Sequence, residues 1–255
     1  MKNFLLNLQI LLGFYPRKIL VRFKNLPLFY HEKKIFKRSM GNNRDFRITR
    51  NYLCLTDRNE NSGTYTKHYF KQDLYMAQKI FEQRPQKHVD IGSRIDGFVA
   101  HLASFMEVEV LDIRPLDNTI KNIRFTQANL MSRDFPLINY CDSISCLHTI
   151  EHLGLGRYGD PIDADGHLKG LDNIHRLLRP GGIFYFSVPI GTQRIEFNAH
   201  RIFDVNYLMN YFSEKYDLLS FSYLDDADEL HENVDVTAGN IHCQYGCGIF
   251  ILKKK

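Results

Sequence analysis

The chain has no long Pro/Gly/Ser linker, no internal repeat and no low-complexity tract in its 255 residues. Those absences exclude tethered domains and solenoids, and predict one sizeable hydrophobic core with an appended segment. It also lacks a run of about 20 apolar residues, the length that spans a bilayer. The most apolar stretch, Phe4 to Tyr15, is short and interrupted by Asn7 and Gln9. No convincing small-residue cleavage site accompanies it, so neither a transmembrane segment nor secretion is expected. Cysteines are few, dispersed and odd in number, five in all, which suits a reducing compartment better than a disulfide framework. Cys243-x-x-x-Cys247 with neighbouring His242 lacks the second ligand pair of a zinc site, and reads as buried or edge-strand thiols.

Acidic residues are nearly missing from the first fifty positions, which hold twelve Lys/Arg against two Asp/Glu, while the other 205 hold twenty-one against twenty-seven. The net charge of +4 therefore conceals a basic head of +10 on a body of −6. In the head, apolar residues interleave with Lys18, Arg22, Lys24, Lys33, Lys34, Lys37 and Arg38. Such a segment could make peripheral contact with an anionic membrane, or pack as a helix with its charges solvated. It carries no motif that reads nucleic acid, and no nucleic-acid partner is expected. We expect a basic N-terminal helical extension over residues 1–65 and the main domain over 66–255.

What is present is an ordered series of buried-strand patterns. Tyr69, Leu74, Ala77, Ile80 and Phe81 recur at helical spacing over residues 66–83, ending before Pro85. Strands are predicted at 87–91, 107–112, 123–126, 141–147 and 183–188, with helices between them and hence right-handed crossovers in a parallel sheet. Residues 216–223 and 246–252 form two further strand patterns separated mainly by polar sequence.

The segment from His88 to Phe98 (HVDIGSRIDGF) ends the first strand at Asp90 and opens the next helix through Gly92. Twenty-two residues beyond Asp90, the second strand ends in Asp112, where a carboxylate would meet the hydroxyls of a bound ribose. His148-Thr-Ile-Glu151-His152 closes the strand at 141–147, and Arg179-Pro-Gly-Gly182 turns into the strand at 183–188. In this order the motifs resemble the class I S-adenosylmethionine-dependent methyltransferases, over roughly residues 86–253. The stretches Gly154–Asp163 and Phe197–Arg201 are similar to an uncharacterised bacterial branch associated with surface-polysaccharide gene clusters.

The resemblance implies an α/β, Rossmann-like doubly wound sheet, mostly parallel with an antiparallel C-terminal strand, and S-adenosylmethionine as cofactor. It implies that Asp90 organises the loop around the methionine amino group, that Asp112 accepts from both ribose hydroxyls and that Asn129 accepts from the adenine amine. Gly92 lets the backbone approach the cofactor. Arg94 and Asp96 stand where small residues are usual; Arg94 could pair with Asp96, reach the methionine carboxylate or block the pocket. His148 is placed on the cofactor side and Glu151 among the catalytic groups.

On the acceptor side, His200 is the candidate general base, since imidazole titrates near neutrality. Asn198 and Arg201 would position the acceptor, with Arg157, Tyr158 and Asp160 as the opposing wall. Two metal readings are weaker. Asp160, Asp163 and Asp165 do not complete a calcium loop, and His148-x-x-Glu151-His152 spells an inverted zinc-protease signature without its mid-helix setting. No metal is expected. The sequence reading is a cytoplasmic methyltransferase, with the inner membrane face as an associated location, acting on a hydroxyl of a sugar or other polar surface-glycan precursor. Its rival is a non-catalytic Rossmann-like scaffold in a polysaccharide assembly complex.

Overall fold

The computed structural model describes residues 16–40, 48–58, 67–117, 119–239 and 241–255; the apolar stretch Phe4–Tyr15 lies outside them. The chain divides into two units, Met1–Tyr65 and Thr66–Lys255.

In the first unit, helix α1 (Pro16–Met40) carries Pro27 in its interior. Its exposed apolar residues, Leu20, Val21, Phe23, Tyr30, Ile35 and Phe36, point in directions all round the axis at 100° per residue, so they share no single face. The continuous apolar side on which an interfacial helix rests is therefore not formed by the described residues. The segment after α1 lies back along it: Asn25 donates to the Leu55 carbonyl (2.8 Å) and Arg58 pairs with Glu32 (2.7 Å). Among the described residues no helix is long and apolar enough to cross a membrane.

The second unit begins with helix α2 (Lys67–Gln83), then β1 (His88–Ile91), the kinked turn Ile95–Val99, α3 (Ala100–Ala103), β2 (Val108–Asp112), β3 (Ile123–Gln127) and β4 (Cys141–Leu147). There follow α4 (Gly166–Leu177), β5 (Leu178–Ile190), a hairpin of β6 (Arg194–Glu196) and β7 (His200–Ile202), α5 (Val205–Phe212), β8 (Tyr216–Leu224), β9 (Leu230–His231) and β10 (Gly246–Lys254). The main sheet runs β3-β2-β1-β4-β5-β10-β8-β9. Strands β3 to β5 are parallel, and β10 inserts antiparallel between β5 and β8. The expected doubly wound sheet with an antiparallel C-terminal strand is thus what forms, and its direction of winding reverses between β1 and β4.

Two details differ from the sequence reading. Among the described residues the β2–β3 and β3–β4 connections carry no helix; Pro115 and Pro136 remove backbone donors from them. Arg179–Gly182 is a bulge inside β5, because Leu178 pairs with Cys141 and Ile183 with Ser143, leaving the residues between them looped out.

Both faces of the sheet are covered, which accounts for the continuous apolar character of its parallel strands. Phe184, Phe186 and Phe250 pack on one face with Leu171 and Ile174 of α4 and Leu208 and Phe212 of α5. Tyr185, Ile249 and Ile251, alternating with them, pack on the other with Tyr75, Met76 and Ile80 of α2 and with Phe98 and Leu102. The buried side of α2 overlaps only in part with the one the apolar spacing indicated: Ala77 and Ile80 are buried, but Tyr69, Leu74 and Phe81 are exposed and Gln72, Tyr75 and Met76 are buried instead. Aromatic and long apolar residues flank the helix on both sides, and burial of the polar Gln72 carried no apolar signal.

Phe186 is fully buried and meets the rings of Phe184, Phe212 and Phe250 at centroid distances of 5.2, 5.5 and 5.9 Å. Phe186→Ala should cost about 3–5 kcal/mol of unfolding free energy, as truncation of a packed core aromatic does. Urea titration of the full chain measures it, and a loss below about 1 kcal/mol would mean that the core closes over the gap.

Candidate functional site

A cavity of about 410 Å³ lies across the carboxyl ends of β1, β2 and β4, the crevice in which doubly wound sheets bind ligands. Its floor is the turn after β1. Gly92 has φ +70, a left-handed conformation that glycine adopts at no steric cost, and a Cβ there would stand 2.7 Å from Thr149 Cγ2. Thr149 in turn donates to the Ile91 carbonyl at 2.9 Å. The turn is therefore packed from below and leaves its backbone open to the cavity.

Asp90 does not face that cavity. It is fully buried and accepts from Ser93 N (3.0 Å), Ser93 Oγ (2.9 Å) and Ser145 Oγ (2.5 Å). Burial raises its pKa to about 6 in spite of those three donors. It holds the loop through Ser93 and lies off the cavity wall.

Asp112 is on the cavity wall and is already engaged. Arg114 donates its backbone N (2.8 Å) and Nε (3.0 Å) to Oδ1, and Nη2 (2.5 Å) to Oδ2. A carboxylate offers about four acceptor positions, so one is left for a ribose hydroxyl rather than the two expected. Arg94 and Asp96 form a bidentate pair (3.1 and 2.9 Å) and are both exposed; Arg94 rims the cavity without filling it. Asn129 lines the cavity, but its Oδ1 already accepts from Met131 N at 2.9 Å.

Strand β4 ends in His148 at φ +51, a left-handed turn that brings its Nδ1 to 2.7 Å from Glu151 Oε1. Both side chains are almost completely buried. Burial alone would lower the His148 pKa, but the fields of Cys247 and Glu151 outweigh it and push it up to about 10. Burial pulls Glu151 the other way from His148, whose charge prevails and holds the carboxyl below its ordinary value. The pair is an imidazolium–carboxylate. His148 lines the cavity and Glu151 lies behind it, so Glu151, expected among the catalytic groups, acts by holding His148 and touches no ligand space. Across the cavity mouth, Tyr69 stacks near His148 (4.9 Å) and His152 lies edge-on to Tyr158 (5.4 Å).

Of the expected acceptor wall, Arg157 and Tyr158 line the cavity, and Tyr158 is sandwiched by the guanidinium groups of Arg114 (4.5 Å) and Arg157 (5.1 Å). Asp160 reaches the lining, but its carboxylate is taken by Gly154 N (2.7 Å), Gly156 N (3.2 Å) and Tyr158 N (3.2 Å), so it shapes the loop. Asp163 is committed to Lys169 and Asp165 N. No group of metal-binding side chains occurs among the described residues.

Three expected residues are not on the cavity. His200, the expected base, sits in β7 beside Glu196 (3.4 Å) and the Tyr245 ring (5.2 Å), behind His152 at 6.5 Å. Asn198 is exposed at the hairpin tip. Arg201 is buried, donating to the carbonyls of Leu153 (2.6 Å), Ala164 (3.2 Å) and Glu151 (3.4 Å); it clamps the loop after β4 and has no donor directed at an acceptor. The short β6–β7 hairpin has no counterpart among the strand patterns of the sequence. The hairpin does reach the site by its backbone: the Ala199 carbonyl accepts from His152 Nδ1 (2.6 Å) and Arg157 Nη1 (2.8 Å).

A second cavity of about 730 Å³ lies between Gly191, Asp204, Asp226 and Cys243. Its carboxylates are occupied by backbone: Asp204 caps α5, and Asp226 accepts from Gln244 N and Tyr245 N.

A family model described as Caenorhabditis protein of unknown function, DUF268, matches residues 103–246, more than half of the chain. The chain belongs to the DUF268 family. No curated protein matches the sequence. Among solved structures, the DUF268 chain is similar to the 1,6-didemethyltoxoflavin-N1-methyltransferase of Burkholderia thailandensis, solved with its substrate and S-adenosylhomocysteine. That likeness has a TM-score of 0.51 at 14% identity, over 73% of this chain and 79% of that one. It is also similar to the N-methyltransferase NodS of Bradyrhizobium japonicum, solved with S-adenosylhomocysteine, with a TM-score of 0.50 at 12% identity over 87% and 97% of the two chains. At such identities the likeness shows the fold, a Rossmann-like methyltransferase fold.

The DUF268 site also contains residues that the sequence reading passed over: Tyr69, Gln72 and Asp73 of α2, and Arg114. The helix was read for its apolar face, and adjacent Gln72-Asp73 gave no periodic signal. Arg114 had one, its position two residues after Asp112.

The buried pair gives the DUF268 protein a pH signature. His148 titrates above its unfolded value, so its contribution to stability is complete below about 6.5 and is lost as pH rises towards about 10. Glu151 titrates below its unfolded value, so its contribution is lost only in acid. Urea unfolding at pH 7 and pH 10 should therefore show a loss on the order of a few kcal/mol in the wild type, and much less in His148→Gln. Equal losses in both proteins would place the alkaline sensitivity elsewhere.

Proposed function

We propose that this DUF268 protein is an S-adenosylmethionine-dependent methyltransferase whose acceptor is a hydroxyl of a sugar or other polar surface-glycan precursor. One observation carries the reading: the strand-end cavity combines a left-handed glycine turn packed on Thr149, at Gly92, with a carboxylate at the end of the neighbouring strand, Asp112. The residues present fit an adenosyl cofactor. When bound, S-adenosylmethionine supplies an electrophilic methyl group on a sulfonium.

Each wall then has a task. Leu111, Ile113 and Leu130 give an apolar slot beside Asn129 for a base, and Asp112 keeps one acceptor position for the ribose. Arg114 holds that carboxylate in one orientation, so it is preorganised before any ligand arrives. His148 is charged and fixed by Glu151, which makes it unsuited to accept a proton at neutral pH. It and Tyr69 instead exclude water and shape the end of the cavity nearest the acceptor wall.

Methyl transfer is an in-line displacement, and proximity contributes most of its acceleration when no base is in place. Arg157 and Tyr158, polar and exposed at the mouth, suit a hydroxyl-rich or acidic acceptor better than an apolar one. We place the activity in the cytoplasm, where the five free cysteines would stay reduced, with any membrane contact made through the charges of the N-terminal segment.

Calorimetric titration of dialysed protein with S-adenosylhomocysteine tests the cofactor assignment, and a scaffold without a cofactor would give no heat. Asp112→Ala should weaken that binding by about 1.5–3 kcal/mol, the range for hydrogen bonds to a charged group. Unchanged affinity in the folded variant would move the ribose elsewhere. For the acceptor, labelled methyl donor supplied with cell-envelope precursors should mark a polar glycan intermediate; label found only on amines would replace the hydroxyl assignment.

A further inference from the structure

We propose that Asp73 binds the ammonium group of the cofactor's amino-acid moiety, a role that rests on the cofactor assignment above. The acidic residue at the end of β1 cannot take it, because Asp90 is sealed behind Ser93 and Ser145 and lies off the cavity wall. Four carboxylates line the cavity: Asp73, Asp96, Asp112 and Asp160. Asp96 is paired with Arg94 at 2.9 Å, Asp112 with Arg114 at 2.5 Å, and Asp160 with three backbone N–H groups. Asp73 has no Lys, Arg or His nitrogen at ion-pair distance among the described residues, and accepts one hydrogen bond, from Gln72 Nε2 at 3.0 Å. The fields of His101, His148 and Arg94 reach it, but no cation sits at contact distance, and that contact is what a cationic ligand group supplies.

The carboxylate is also held in place. Gln72 is buried, and its Oε1 accepts from Ser187 Oγ of β5 (2.6 Å) and Cys247 Sγ of β10 (3.2 Å). Both donors point at the oxygen, so the amide nitrogen is left to face Asp73. A chain of hydrogen bonds thus runs from the centre of the sheet through α2 to the cavity wall, and fixes a side chain that would otherwise move freely on a helix surface.

Gly97 completes the arrangement. A Cβ on Gly97 would lie 3.1 Å from Asp73 Oδ2, so the carboxylate rests against the turn that follows Gly92. Burial raises the Asp73 pKa above the ordinary carboxylate value, and an ammonium placed beside it would oppose that shift.

The experiment compares two probes that differ in this moiety. S-adenosylhomocysteine carries the amino acid, whereas 5′-methylthioadenosine keeps the adenosine and thioether without it. Calorimetry on the full-length wild type and on Asp73→Asn is the measurement. The isosteric amide keeps the Gln72 bond and removes only the charge, and thermal melting establishes that the variant is folded. We expect S-adenosylhomocysteine to bind about 10- to 100-fold more weakly to Asp73→Asn, the equivalent of one hydrogen bond to a charged group, with 5′-methylthioadenosine unchanged. Equal weakening of both probes would show a merely structural role, and unchanged affinity for both would place the ammonium elsewhere; either result overturns the assignment. If the wild type binds neither probe, the cofactor reading itself fails, and this one with it.

Discussion

Asp90 is a buried carboxylate in the middle of a parallel sheet, and the site is arranged around satisfying it. Leaving such a group unpaired would cost several kcal/mol, so Ser93 must turn back on it and Ser145 must lie beside it on β4. The chain of donors continues. The Ser145 hydroxyl spends its proton on Asp90, so the neighbouring His88 Nε2, at 2.9 Å, donates to Ser145, and His88 Nδ1 accepts from Ser143 at 2.7 Å. Burial lowers the His88 pKa to about 3 and keeps it neutral, as that pattern needs. One polar thread therefore sets both the register of β1 against β4 and the course of the Gly92 turn. The cavity opens where those two strands part.

The acceptor side is built by a different economy, in which loops consume each other's polar groups. Asp160 takes three backbone donors, Arg201 gives its donors to three carbonyls, and the Ala199 carbonyl joins the hairpin tip to His152 and Arg157. Polar residues that look chemical in the sequence are thereby neutralised structurally. Those left facing the cavity with unspent capacity include Arg157 and Tyr158 at the mouth, the remaining acceptor position of Asp112, and Asp73 within. The selectivity of the site rests on this remainder rather than on the number of charged residues in its loops.

The sheet was legible in the sequence because its strands are buried on both faces, and such strands announce themselves as apolar runs ending in glycine or acid. β1, β2, β4 and the β10 insertion fall within a residue or two of their expected positions. β6 and β7 give no strand signal in the sequence, since each is three residues long, β6 is largely exposed and β7 buries a charged Arg201 beside Ile202. Gly92 and Asp112 both lie on the cavity, because motif position determines where a strand end points. His200, Arg201, Asp160 and Glu151 are assigned chemistry from residue type and from their place beside strand ends, and neither reveals whether a neighbouring group has already claimed the side chain. Asp73 illustrates the converse: its importance arises from Ser187 and Cys247, more than a hundred positions away, and no local pattern could have indicated it.

Hydrogen–deuterium exchange with and without S-adenosylhomocysteine tests most directly whether the strand-end cavity is the ligand site. The account predicts slowed exchange confined to the turn 92–99, to 112–115, to 128–131 and to the loop 148–158, with the hairpin 194–202 affected only near Ala199. Protection centred instead on 190–193, 204–206 and 241–244, around the second cavity, or no change anywhere at saturating ligand, would contradict it.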